Sequence, residues 1–256
     1  ADVHRRTEGW PAAVTLVARD HNESEASVAT PAPLMEYLAD EIAGLVGADG
    51  LRVLEATALC DRVTARMAET ALGPPAAAAA LESLAEASVL VIPLEGPGGW
   101  YRYHALLREF LRARADALGP EERRDLHLRT AEALLAEGEV REAVPHLLEA
   151  EAFARAEDLM GPIADVLAGH EPAVLEAWLA ALPAGVADER PALIAASGML
   201  LFGARHYDEA FDRLYAAMTR HAAAGDAQMA AATLFRLLEL LEIACEFRRA
   251  VAVCES

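Results

Sequence analysis

The chain has 256 residues, enough for two or three modules at roughly 100–200 residues each. It is 54% hydrophobic but only 5% aromatic, a balance that favours helices packed through alanine and leucine over an aromatic-rich β fold. A formal net charge of −19, with all 22 basic residues arginine and no long basic cluster, repels a phosphate backbone and argues against DNA binding by this chain on its own.

The cysteines, Cys60, Cys245 and Cys254, have neither metal-ligand spacing nor a disulfide-framework count. They read as small apolar residues of a reducing compartment. The opening Ala-Asp-Val-His-Arg-Arg-Thr-Glu is no secretory signal, and no apolar run reaches the roughly 20 residues that span a bilayer. A cytoplasmic protein that does not enter a membrane is expected.

In chain order, Pro11 to about Ala18 predicts a short helix, since proline suits a first turn and Val14, Leu16 and Val17 supply an apolar side. The polar stretch from Asp20 to Pro31 and Pro33 marks a boundary. Leu34, Tyr37, Leu38, Ile42 and Leu45 predict a helix that Gly47 ends; Leu51, Leu54 and Leu59 mark a second, Thr64 to Leu72 a third and Pro75 to Ala87 a fourth. Two short strands, Leu90–Leu94 and Trp100–Tyr103, flank Glu95-Gly96-Pro97-Gly98-Gly99, whose glycines permit a tight reversal. Helices, a hairpin and another helix suggest a winged helix. Its third helix carries Arg66 beside Glu69 and no basic stripe, so contact with DNA through this module is not expected.

Beyond Gly119-Pro120 the chain turns almost wholly helical, with self-similarity of about 40 residues. Ala131, Leu134 and Leu135, a turn at Gly138, then Ala143, Leu147 and Ala150 alternate small and large residues as a tetratricopeptide-like hairpin does. Gly198, Leu201, Tyr207, Ala210, Leu214 and Ala217 repeat that pattern, and Leu238, Leu241, Phe247, Ala250 and Cys254 begin a third copy. An array stopping inside a repeat leaves an apolar face uncapped, so the chain reads as cut from something longer. Between the copies, Leu175, Trp178, Leu179 and Leu182 form an amphipathic helix ending at Pro183.

The run Trp100-Tyr101-Arg102-Tyr103-His104-Ala105-Leu106-Leu107-Arg108-Glu109-Phe110-Leu111 passes from an extended aromatic segment through a histidine into a helix. With Gly9-Trp10-Pro11 upstream and helical pairs downstream, it resembles the signal-transduction ATPases with numerous domains, and among them the large ATP-binding LuxR-type (MalT-like) transcription activators. Trp178 to Pro183 and Arg190-Pro191-Ala192-Leu193 look like those activators' linker into a helical superhelix, so the likeness covers most of the chain.

The resemblance implies a mainly α chain in three parts: residues 1–28 as the end of a helical nucleotide-binding subdomain, 30–118 as a winged helix domain and 119–256 as a truncated tetratricopeptide-like superhelix. It implies that Pro11 packs against the adenine of a bound nucleotide. It places His104 at the family histidine that touches the β-phosphate of ADP and holds a closed state, with Arg102 assisting. An imidazole can donate to an anionic oxygen, and its ordinary pKa of roughly 6.5 would rise there. Tyr103 and Ala105 stand where the related motif has methionine and aspartate, so any role of that acid is lost. Taken alone, Gly9-Trp10-Pro11 is an ordinary helix start, and His104 a histidine packed at a helix start and bonded to backbone.

No G-x-x-x-x-G-K-[ST] loop occurs, so the chain is expected not to be an enzyme and not to bind ATP or ADP tightly by itself. The phosphate-binding loop and the DNA-binding module are expected beyond its two ends. Implied partners are an upstream ATPase domain in the same chain, an inducer small molecule or regulatory protein, DNA only through the further domain, and other copies on activation. The competing reading is a free-standing helical adaptor for a protein or peptide. His127 and His146 are too far apart for a pair on one helix, His206 and His221 fall in a turn and near a helix end, and no metal site or nucleophilic triad is supported. Glu149, Glu151, Glu157 and Asp158 read as a solvated helix face.

Overall fold

The structure, a computed structural model, describes residues 44, 51, 53–72, 76–87 and 90–243. The expectations for Pro11–Ala18, for the helix of residues 34–47 and for Phe247, Ala250 and Cys254 lie outside them. By packing the chain divides into two units, Ala1–Ala150 and Glu151–Ser256.

In the first unit, helical backbone at residues 53–56 leads through a turn into β1 (Arg62–Thr64), α1 (Ala65–Leu72) and α2 (Ala76–Ala87). Then come β2 (Val91–Pro93), β3 (Trp100–Tyr103) and α3 (Ala105–Asp116). The three strands form one antiparallel sheet in the order β1-β3-β2. Its first strand is a correction to the sequence reading, which ran Thr64 into a helix and expected two strands. Three residues are too few to display a period of two, and Thr64 serves both elements: it pairs with Trp100 and its hydroxyl accepts from the Met67 amide at 3.1 Å, capping α1.

Each helix turns one apolar face inward. Met67, Ala68 and Ala71 of α1, Leu81 and Leu84 of α2, and Leu106, Leu107, Phe110 and Leu111 of α3 are buried at helical spacings. α4 (Pro120–Ala136) and α5 (Val140–Glu149) complete the unit as a hairpin, and α4 packs on α1 as well as on α5. The hairpin expected to open the repeat region thus falls, by packing, in the first unit.

The second unit comprises α6 (Phe153–Met160), a 3-10 turn at Gly161–Ile163, α7 (Ala164–His170), α8 (Pro172–Ala181), α9 (Val186–Glu189), α10 (Pro191–Gly203), α11 (Tyr207–Ala223) and α12 (Ala227–Ile243). Its core joins Ile194, Ala210, Leu214, Ala217, Leu237 and Leu241. At Gly198 α11 lies tight against α10: an added Cβ would stand 2.9 Å from Leu214 Cγ. Leu175 and Trp178 bury the inner side of α8, as their spacing predicts. Glu157 departs from the solvated face assigned to it, being 8% exposed and ion-paired to Arg190 at 2.6 Å. A buried carboxylate needs such a partner, and a partner 33 positions along the chain gives no local signal.

α4, α10 and α11 end in the same way. The amide two residues past the cap bonds back five residues, Glu139 to Leu134, His206 to Leu201 and Asp226 to His221. The amide before it bonds back three, Gly138 to Leu135, Arg205 to Phe202 and Gly225 to Ala222, all at 3.0 Å. This closure needs a left-handed residue, and Gly138 (φ 81°) and Gly225 (φ 77°) supply it. Arg205 does the same at φ 66° with a side chain in the way.

Within the first hairpin, His127 of α4 and His146 of α5 meet across the helices, Nδ1 to Nδ1 at 2.9 Å. Their ring centroids are 5.1 Å apart, so the rings face each other nearly head-on, the geometry of one shared proton. They are no pair on one helix, as the sequence spacing required, but antiparallel packing brings them together. Burial, then the charges of His127 and Arg112, holds His146 down at about 4, with Asp61 opposing. Burial also lowers His127, against Glu149 and Asp116 and with Arg123.

Two outcomes follow. Arg205→Gly should stabilise the second unit by up to about 1 kcal/mol, since a non-glycine residue in this conformation costs about 1–2 kcal/mol and glycine returns part as chain entropy. Thermal melts showing a lower midpoint for the variant would refute this. Below the ordinary imidazole value of about 6.5 the unfolded chain takes up protons that the folded His127–His146 pair refuses, so stability is lost as pH falls from about 6.5 towards about 4. Melts over that window should fall less steeply for His146→Leu than for the unaltered chain; parallel curves would show that the pair does not set the slope.

Candidate functional site

His104 sits where β3 ends and α3 begins, at φ −53° and ψ 144°, as the N-cap of the helix. Its amide donates to the Leu90 carbonyl at 2.8 Å, its carbonyl accepts from the Arg108 amide at 3.0 Å, and its ring Nδ1 accepts from the Leu106 amide at 3.2 Å. The ring is thus doing the work of a serine or aspartate cap. With Nδ1 as acceptor, the neutral imidazole carries its proton on Nε2. At 3% exposure the residue is packed into the module.

Tyr103, immediately before it, is also 3% exposed, and its hydroxyl lies 2.5 Å from that of Thr57, which is fully buried. The Thr57 hydroxyl has one proton, and the Val53 carbonyl lies 2.8 Å from it. Thr57 therefore donates to Val53 and accepts from Tyr103, giving a short polar chain from the end of β3 to the helical turn at 53–57. Burial pushes the Tyr103 phenol well above its ordinary value, keeping it a donor. Spacing alone gave no sign of this chain, because its ends are 46 residues apart.

Arg102 lies in the central strand, directly across from Arg62 of β1 and Ile92 of β2. Strand alternation puts it on the face of Arg62 and Trp100. Two guanidinium groups opposite each other repel, and Arg62 is drawn aside by Glu139 at 2.8 Å and by the Trp100 ring, 4.3 Å to the centroid. Thr64 donates to Glu137 at 2.9 Å. β1 thereby grips both sides of the turn that joins α4 to α5. Pro11, the third residue singled out from the sequence, lies outside the described residues.

The arginines of α3 are engaged within the module. Arg108 and Arg112 reach Asp61 at 3.3 and 3.0 Å, and Arg114 reaches Glu55 at 2.6 Å. These exposed pairs are individually weak, but they leave no unbalanced basic patch along the helix. Asp61 as their common partner carried no motif to mark it. Cys60 beside it is 2% exposed and its thiol is pushed up to about 12, first by burial and then by Asp61, so it stays protonated and unreactive. Among the described residues no group of three or more histidine, cysteine or acidic side chains is placed to hold a metal ion, and no helix is long and apolar enough to cross a membrane. His206 caps α11 and bonds Glu209 at 2.9 Å, while His221 is buried in the last turn of α11 with Asp226 at 3.8 Å.

In the second unit a cavity of about 350 Å³ is lined by Gly161, Pro162, Met199, Met229, Asp165 and Arg236 among others. Its walls come from the 3-10 turn, α7, α10 and α12, with Leu214 of α11 also lining it. Arg236 faces Asp165 at 4.0 Å and bonds Glu239 at 3.2 Å.

Residues 39–123 match the MalT winged helix domain. The HTH-type transcriptional regulator MalT of Vibrio cholerae serotype O1 is 29% identical over 148 residues, which cover 54% of this chain and 16% of that protein. Those of Klebsiella pneumoniae subsp. pneumoniae and Serratia proteamaculans are each 28% identical, over 211 and 212 residues, covering 78% and 79% of this chain and 23% and 24% of theirs. The chain therefore spans between about a sixth and a quarter of the length of these relatives. The matched residues 39–123 include the three-stranded sheet and the helix that His104 caps, and on this ground they form a winged helix domain of the MalT type, in a chain that is similar to the MalT regulators over most of its length.

Proposed function

We propose that this chain is the regulatory middle of an ATP-dependent transcription activator, in which the winged helix module reads the nucleotide and the helical hairpins sense an inducer or regulatory protein. In this reading His104 donates from Nε2 to a phosphate oxygen of ADP and keeps the protein closed. The observation that supports it is the tautomer: the Leu106 amide donates to Nδ1, so the neutral ring bears its proton on Nε2, and Nε2–H has the polarity that an anionic oxygen requires. Bound ADP supplies the anionic oxygens on which this switch depends.

Arg102 adds positive charge near by, and Pro11 walls the adenine from the upstream side. Hydrolysis, if the longer protein carries it out, belongs to an ATPase domain in the same polypeptide, and this chain contributes no catalytic residue. DNA is reached through another domain. An inducer held in the second unit, with the cavity at Asp165 and Arg236 as the candidate place, favours the open state only through tighter binding to it. Opening then allows ATP exchange and self-association. The setting is the cytoplasm.

Replacing His104 by alanine in the intact activator removes one charge-assisted hydrogen bond. ADP should bind about 10-fold or more weakly, and transcription should depend less on inducer. Equilibrium titration with a fluorescent ADP, beside in vitro transcription with and without inducer, checks both. Unchanged affinity and unchanged inducer dependence would remove His104 from the mechanism.

A further inference from the structure

We propose that the cavity of the second unit is a binding site for a free apolar α-amino acid: Arg236 takes its carboxylate, Asp165 its ammonium group, and Pro162, Met199, Leu214 and Met229 its side chain. That this ligand acts as the inducer rests on the function proposed above; that the cavity binds it does not.

The cavity holds about 350 Å³, at the small end of the roughly 300–1,000 Å³ of ligand pockets, and so suits a molecule of amino-acid size. Its apolar lining is aliphatic and thioether, with no aromatic ring among the described residues, and methionine adapts to the shape of an apolar guest. Against that lining stand two opposite charges. Arg236 Nε and an Asp165 carboxylate oxygen are 4.0 Å apart, beyond the reach of a hydrogen bond, and both side chains are half-exposed. Through Nη1, Arg236 donates to Glu239 on its own helix at 3.2 Å.

Each charge excludes a class of ligand. A simple carboxylate would be repelled by Asp165, with Glu239 bonded to the same guanidinium, and a simple amine by Arg236. A zwitterion satisfies both. In an α-amino acid the ammonium nitrogen stands about 2.5 Å from the carboxylate carbon, and charge-assisted bonds run to about 2.7–2.9 Å. One such ligand therefore bridges a 4.0 Å gap that the two side chains leave open. Thr233, buried and lining the same cavity, gives its hydroxyl proton to the Met229 carbonyl at 2.8 Å, so its oxygen can act only as an acceptor, which suits a further ammonium proton. Asp165 belongs to α7 and Arg236 to α12. A bound amino acid thus fastens two helices far apart in the chain, and favours whichever arrangement of the unit keeps them in reach.

Isothermal titration of this chain with L-leucine or L-methionine should give saturable binding with a Kd of about 1 mM or tighter. Leucinamide, which lacks the carboxylate, N-acetyl-leucine, which lacks the ammonium group, and glycine, which lacks the side chain, should each bind about 10-fold or more weakly than leucine. Asp165→Asn and Arg236→Gln should weaken leucine by a similar factor while the helical circular dichroism stays unchanged. No binding of either amino acid at about 10 mM, equal binding of the three analogues, or leucine binding that ignores both substitutions would each overturn the site. In the intact activator, leucine should raise transcription in vitro, and less so with Asp165→Asn. If leucine binds as described and transcription does not respond, the site stands and its part as the inducer site is what fails.

Discussion

The central strand β3 is the constraint on which the first unit is built. It is four residues long, and it is paired on both sides, so its register is set twice, by Val63 opposite Tyr101 and by Ile92 opposite Arg102. A one-residue slip would turn every side chain to the other face. Tyr103 would lose its hydroxyl partner and Trp100 its arginine. The helix that follows begins at the next residue but one, so the strand register also sets where α3 starts and which residue becomes its cap. The histidine in this place is held by a sheet that cannot easily slide.

A second set of contacts carries that order outward. Asp61 collects Arg108 and Arg112 from α3, and the next residues, Arg62 and Thr64, take hold of Glu139 and Glu137 at the turn between α4 and α5. The individual ion pairs are exposed and weak, yet they converge on one short edge strand. Close to the same strand's approach lie His146 and Arg112, which feel each other's charge. The helix capped by His104 and the first helical hairpin are therefore joined through β1 and the residue before it.

Much of this was legible in the sequence, and the losses have physical causes. Alanine-rich composition marked α2, and apolar spacing marked α3 and the hairpin helices, since buried Leu106, Leu107, Phe110 and Leu111 leave the period they need. The glycine turn and β2 and β3 followed from Gly96, Gly98 and Gly99, which the chain uses at positive φ. β1 escaped because a three-residue edge strand has no period to read. The Thr57–Tyr103 bond, the His127–His146 pair and the Glu157–Arg190 ion pair escaped because each joins residues brought together only by tertiary packing. His104 itself was identified through a family resemblance, and its backbone bonding is also what an ordinary buried histidine at a helix start would show. The tautomer of its ring is read from the bond that the Leu106 amide makes to Nδ1.

The grip of β1 on Glu137 and Glu139 has a mechanical side. α5 begins at Val140, beside the held turn, and its 10 residues run away from it to Glu149. At 1.5 Å per residue such a helix is an arm of about 15 Å, and a tilt of about 10° at the fastened end carries the far end through roughly 2–3 Å. The turn that anchors this arm is thus held by an edge strand only three residues long.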